Sequence, residues 1–173
     1  MQWKLKCINI VDEPADVLIC SANPHLTLSG GVGADLLARY GSKMQEALEK
    51  VVKQRIPHFI PQGEVIPFIA EFLPYRAILH AVAVDGWYDS SPLIIKETVT
   101  KALSMAAEFG ARKVALTALA TGFGHLSLSE FADGIRLIEE FEFPSIEEVC
   151  ICLLEDYRVF ELAKFLPKAK VIT

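Results

Sequence analysis

The chain has 173 residues, 52% of them hydrophobic, with 17 Lys and Arg against 22 Asp and Glu and a formal net charge of −5. That length suits one domain over residues 1–173 with a substantial core. The acidic balance argues against a nucleic-acid partner, and no apolar run reaches the ~18 residues of a membrane helix.

The opening "MQWKLKCINIVDEPADV" breaks its short apolar stretches with charge. It lacks the layout of a secretory leader, so a cytoplasmic location is expected. Trp3–Ile10 reads as a strand, and Val17–Cys20 as a second, wholly apolar one. "ANPHLTLSGG" is a loop. Helices are expected over Gly31–Tyr40 and Ser42–Gln54, and an extended segment over Gly63–Phe72, where Pro67 weakens the pattern. Ala77–Val84 is a buried strand. Ser91 followed by Pro92 is an N-cap with a first-turn proline, and Gly110 a stop, for a helix over Pro92–Phe109. Lys113–Leu119 is a strand. Ser127 and Glu130 form a capping box opening a helix to about Phe141. Val149–Leu154 is a sixth strand and Asp156–Phe165 the last helix. Strands and helices alternate, and several strands are apolar on both faces. The expected fold is therefore α/β: a three-layer α-β-α sandwich around a mixed, largely parallel sheet of about six strands.

Cys7, Cys20, Cys150 and Cys152 each sit in strand-like runs without CxxC spacing. They read as reduced core residues. His25, His58, His80 and His125 are scattered, so no metal site is expected.

Two glycine-rich loops follow predicted strands and precede predicted helices: "SANPHLTLSGGVGADLL" (Ser21–Leu37) and "LATGFGHLSLSE" (Leu119–Glu130). Glycine lets backbone approach a ligand, and the free N–H groups of a helix start favour an anion. Two such loops in a small α/β domain suggest a diphosphate gripped from both sides. Gly31-Val-Gly33 lacks the third glycine and the tight turn of a dinucleotide fingerprint, and no Walker or G-x-S-x-G motif occurs.

Together with "PQGEV" and "LPYRAILHAVAV", these loops resemble, in order and spacing, the macro domain, an ADP-ribose-binding (Appr-1''-p processing-like) family. The resemblance covers nearly the whole chain and implies a ligand cleft without a cofactor. In the family an acidic residue after the first strand accepts the adenine amine; the matching position is Asn9, with Ile10 beside it. Asn23, preceded by Ala22, matches the asparagine that bonds the distal ribose, while Cys20 replaces the first asparagine of that turn. Gly30, Gly31 and Val32 match the loop packed on distal ribose and diphosphate. Thr121, Gly122, Phe123 and Gly124 match the diphosphate loop, with Phe123 covering the distal ribose. Leu154 and Tyr157 are candidates for the side chain that sandwiches adenine. His80 matches a buried family histidine and is expected to be a satisfied core residue. Trp87 and Tyr88 lie on a loop that borders the cleft or packs at its rim.

The family's hydrolases carry an aspartate where this chain has Gly33. Asp35 lies about 200° further round a helix and is expected on the far face. Asn23 and His125 are the catalytic candidates that remain. Binding of ADP-ribose, O-acetyl-ADP-ribose or an ADP-ribosylated protein is thus favoured. ADP-ribosyl or O-acetyl-ADP-ribose hydrolysis in the same cleft is the first alternative, and a degenerate fold used for protein interaction the second.

Overall fold

The computed structural model describes residues 1–173. Seven strands form one sheet: β1 (Gln2–Cys7), β2 (Val17–Ser21), β3 (Val65–Phe68), β4 (Ala77–Ala81), β5 (Lys113–Thr117), β6 (Glu148–Leu153) and β7 (Lys170–Ile172). Their order is β3-β4-β2-β5-β6-β1-β7. Every neighbouring pair is parallel except β3 with β4. Five helices complete the chain: α1 (Gly31–Tyr40), α2 (Ser42–Lys53), α3 (Pro92–Glu108), α4 (Leu128–Arg136) and α5 (Asp156–Phe165).

Strand residues alternate between two cores. Val17 and Ile19 of β2 pack with apolar residues of α3, α4 and α5, whereas Leu18 and Cys20 pack with Leu36, Met44 and Leu48 of α1 and α2. Both faces of the central strands are covered, as their unbroken hydrophobicity requires. The result is the expected three-layer sandwich, with a seventh strand. β7 is a three-residue edge paired with Lys4–Lys6, too short to show a period.

Most elements end earlier than the apolar runs suggest. β1 stops at Cys7, and Asn9 then caps a 3-10 turn over Ile10–Asp12. β4 stops at Ala81 and β5 at Thr117, although Val82, Ala83, Val84, Leu119 and Ala120 stay buried. These loops are apolar because they are buried, not because they are strands. α4 ends at Arg136, short of Phe141. Cys7 is a further correction: it is exposed at the sheet's end, whereas Cys20, Cys150 and Cys152 are buried thiols. His80 is buried as expected but not satisfied, since its Nε2 has no hydrogen-bond partner.

The caps form as the sequence predicts. Ser91 Oγ accepts from Ile94 N at 3.3 Å ahead of Pro92. Ser127 and Glu130 make a reciprocal capping box. α3 and α4 meet closely at Gly134, where an added Cβ would lie 2.6 Å from the Pro92 carbonyl oxygen and 2.7 Å from Ile95 Cβ. Backbone cannot yield cheaply there, so Gly134→Ala is expected to cost about 2–3 kcal/mol of stability, read as a lowered urea midpoint with unchanged m.

Candidate ligand-binding cleft

β2 connects towards β3 on one side of the sheet, and β5 towards β6 on the other. Their following loops therefore diverge, which opens a crevice at the carboxyl ends of these strands. Ladder pairing of β2 with β5 stops at Ile19 and Leu116. Beyond it the Thr117 side chain takes over: Ser21 N donates to Thr117 Oγ1 at 3.0 Å. The cleft that begins there is lined by 31 residues, 16 of them hydrophobic, so it suits a ligand with both polar and apolar parts.

The first loop is tied to itself by Asn23. Its Oδ1 accepts from His25 N and Thr27 N, and its Nδ2 donates to the Thr27 carbonyl at 2.9 Å. Gln45 of α2 braces the same loop through Leu26 O and Leu28 N. The loop ends at Gly30, whose φ of 66° starts α1 with no side-chain cap and no acidic residue in the first turn. The N–H groups of Gly30, Gly31, Val32 and Gly33 make no hydrogen bond within the chain.

The second loop is pinned at both ends. Thr121 Oγ1 donates to Ala118 O at 2.8 Å, and Leu126 N returns to Ala120 O at 3.1 Å. Gly124 sits inside this turn, where a Cβ would meet Ala120 O at 2.4 Å. Ala120 itself has a φ of 63°, a conformation that costs a side-chain-bearing residue about 1 kcal/mol. Between the pins, Gly122, Phe123 and Gly124 have N–H groups without a partner in the chain. Two stretches of free backbone donors, Gly30–Gly33 and Gly122–Gly124, thus line one cleft. Phe123 joins the stretches: its ring lies over Gly30, so close that a Cβ there would be 2.8 Å from Cε2.

A model of the Macro domain family matches residues 19–135, a segment that contains both loops. The chain belongs to the macro domain family. A macro domain-containing protein of Streptomyces griseus is 28% identical over 161 residues, covering 91% of this chain and 90% of that protein. The O-acetyl-ADP-ribose deacetylase of Enterobacter cloacae is 31% identical over 109 residues, covering 62% and 59% respectively. Among solved structures, the Oceanobacillus iheyensis macrodomain with ADP superposes with a TM-score of 0.79 at 20% identity, covering 94% of this chain and 90% of that one. The Trypanosoma brucei macrodomain in complex with ADP-ribose gives 0.74 at 19% identity, covering 94% and 68%. At those identities the superpositions speak for the fold.

Of the residues that the macro domain resemblance singles out, Asn9, Ile10, Ala22, Asn23, Gly30, Gly31, Val32, Thr121, Gly122, Phe123, Gly124 and Leu154 all line the cleft. Tyr157 and His125 do not. Tyr157 lies on the outward side of α5, 67% exposed. His125 has its N–H tied to Tyr88 O at 3.0 Å and its Nδ1 against Asp89 Oδ1 at 2.8 Å, outside the lining. Tyr88 lines the cleft and Trp87 does not.

Asp35 is a correction to the helical-rotation argument. It does lie on the opposite side of α1 from Gly33, but the cleft wraps the end of the helix and includes both residues. Gly33 instead abuts Leu28, where a Cβ would be 3.1 Å from Leu28 Cα. A second residue without a sequence signal is Arg158, in the first turn of α5. Its Nη2 donates to Thr121 O at 3.2 Å and Thr121 Oγ1 at 3.0 Å, which brings a guanidinium into the lining beside the second loop. No group of three or more His, Cys, Asp or Glu side chains is placed to hold a metal ion, and no helix is long and apolar enough to cross a membrane.

Proposed function

We propose that this macro domain binds ADP-ribose, or a metabolite or protein carrying that group, in the cleft between its two glycine loops, without turning it over. The supporting observation is the set of unpaired N–H groups of Gly30, Gly31, Val32, Gly122, Phe123 and Gly124 on one cleft, with the uncapped start of α1 among them. Unsatisfied donors at a helix start, with no acid in the first turn, suit a diphosphate. Thr121–Gly124 and Gly30–Val32 grip that diphosphate, Phe123 shelters the distal ribose, and Asn23 with Ala22 borders it. Ile10 and Leu154 flank the base at the other end, with Asn9 at its edge.

Binding is favoured over hydrolysis on three counts. Gly33 offers no base, and an aspartate grafted there would push on the Leu28 backbone. Both polar atoms of the Asn23 side chain are already engaged by its own loop. His125 stands outside the lining. Incubation with O-acetyl-ADP-ribose and with ADP-ribosylated protein is expected to leave both intact. Calorimetric titration is expected to give one site for ADP-ribose, bound more tightly than AMP. No heat with ADP-ribose would reject the binding reading; turnover of either compound would replace it with the hydrolase one.

Arg158 supplies the cleft with a cation that also braces the second loop. Arg158→Ala is expected to weaken ADP-ribose roughly tenfold and to flatten the salt dependence of binding, because a charge-assisted contact to phosphate is lost. Calorimetry at two ionic strengths checks it. Arg158→Lys is expected to keep the salt dependence but only part of the affinity, since one ammonium cannot reproduce the planar guanidinium.

A further inference from the structure

We infer that Asp35, held in place by Asn9, accepts the exocyclic amine of the bound base, so that the base-selecting carboxylate comes from α1 and not from the residue that ends β1. The inference rests on the ADP-ribose reading and adds the group that chooses the base.

Asn9 is committed locally. Its side chain caps the 3-10 turn, and Val11 N donates to Asn9 Oδ1 at 3.3 Å. Because Val11 N–H is a donor, the amide oxygen must face it, which turns the amide nitrogen the other way. That nitrogen donates to Asp35 Oδ2 at 3.1 Å. The acceptor of Asn9 is therefore already used, and its donor is spent on holding the carboxylate. Asp35 keeps its second oxygen: Oδ1 has no hydrogen bond within the chain. The residue is half-buried and lines the cleft together with the apolar side chains of Ile8, Ile10, Val32 and Leu154.

A fixed carboxylate oxygen among apolar walls takes a donor and rejects an acceptor. It accepts from an amine in the plane of a stacked base, whereas an oxygen at the same position meets it with repulsion. The occupant of this end is thus a base that carries an exocyclic amine. Glu155 is the other acidic residue of the lining, but it is exposed, and its carboxylate is held by no partner, so it has no fixed geometry to select with. The arrangement also explains how the chain uses an asparagine at the end of β1. A second carboxylate at position 9, against Asp35, would place two like charges within hydrogen-bond distance.

The test compares ADP-ribose with its analogue whose base is unsubstituted purine, which lacks only the amine. Wild-type protein is expected to prefer ADP-ribose roughly tenfold or more, the size of one hydrogen bond to a charged group. Asp35→Ala is expected to weaken ADP-ribose by that factor, leave the analogue unchanged and bring the ratio near one. Asp35→Asn keeps the shape and a neutral acceptor, and is expected to retain part of the preference. Asp12→Ala removes a carboxylate from the same junction but outside the cleft, where it pairs with Arg39, and is expected to leave the ratio as in wild type. Tight ADP-ribose binding with an unchanged ratio in Asp35→Ala and Asp35→Asn overturns the inference alone. Failure of wild-type protein to bind ADP-ribose overturns the functional reading and the inference with it.

Discussion

Gly122→Val is expected to abolish ADP-ribose binding, lowering affinity by roughly 100-fold or more while leaving the fold intact. Among the loop glycines this is the informative position. A Cβ on Gly30 would press on the Phe123 ring at 2.8 Å in a backbone conformation that side chains avoid, and one on Gly124 would collide with the Ala120 backbone at 2.4 Å. Either change damages the loops themselves. At Gly122 a Cβ meets nothing within 4 Å, and the residue lines the cleft. A branched side chain there occupies the ligand's space without displacing protein atoms. Stability should stay within ~0.5 kcal/mol of wild type, as for an unstrained surface change. Calorimetry with thermal unfolding of the same samples reads both quantities. Affinity within threefold of wild type would mean that the diphosphate does not lie against this loop.

The second large effect is on stability. His80 sits on β4 between β3 and β2, 1% exposed, with Nε2 unpartnered. Burial pushes its pKa down from 6.5 to about 4. Between these values the unfolded chain takes up a proton that the folded chain refuses, so stability falls as pH falls from about 6.5 to about 4. The full drop is about 3 kcal/mol, at the linkage value of about 1.4 kcal/mol per pH unit. Asp16, whose carboxylate accepts from the backbone of Arg112 and Lys113, has a lowered pKa. Its contribution is present above its unfolded pKa, near 4, and is lost only as pH falls below that, so the two windows are distinct. Urea unfolding at pH 7, 5.5 and 4.5 measures the loss. His80→Leu removes both the proton site and the orphaned nitrogen. It is expected to flatten the curve over that window with no loss of stability at pH 7. An equally steep curve in that variant would assign the acid sensitivity elsewhere.

The parts of this molecule that were legible in sequence are those fixed by local chemistry. Ser91-Pro92 and the Ser127–Glu130 box set helix starts, and they do so in the structure. The two glycine loops were legible because their spacing from strand and helix is a local matter. Misreadings arise where tertiary burial mimics a local pattern. Val82–Val84 and Ala118–Ala120 continue the strands' hydrophobicity because they floor the cleft and the core around it, not because they pair. Asp35 was misplaced by a correct rotation about α1 joined to a wrong picture of the cleft, which curls around the helix end instead of facing one side. Arg158 and Tyr157 are sequence neighbours on α5, and periodicity alone does not tell which of two adjacent residues faces the loop. The fold puts the arginine inward against Thr121 and the aromatic ring outward.

The central claim is that six backbone N–H groups on two loops hold the diphosphate of ADP-ribose. Amide chemical-shift mapping of the 173-residue chain during titration with ADP-ribose tests it most directly. The expected result is that the largest shifts fall on Gly30, Gly31, Val32, Gly122, Phe123 and Gly124, with AMP moving the base end near Ile10 and Leu154 more than these. Saturable shifts centred elsewhere, or none at these six amides at millimolar ADP-ribose, would contradict it.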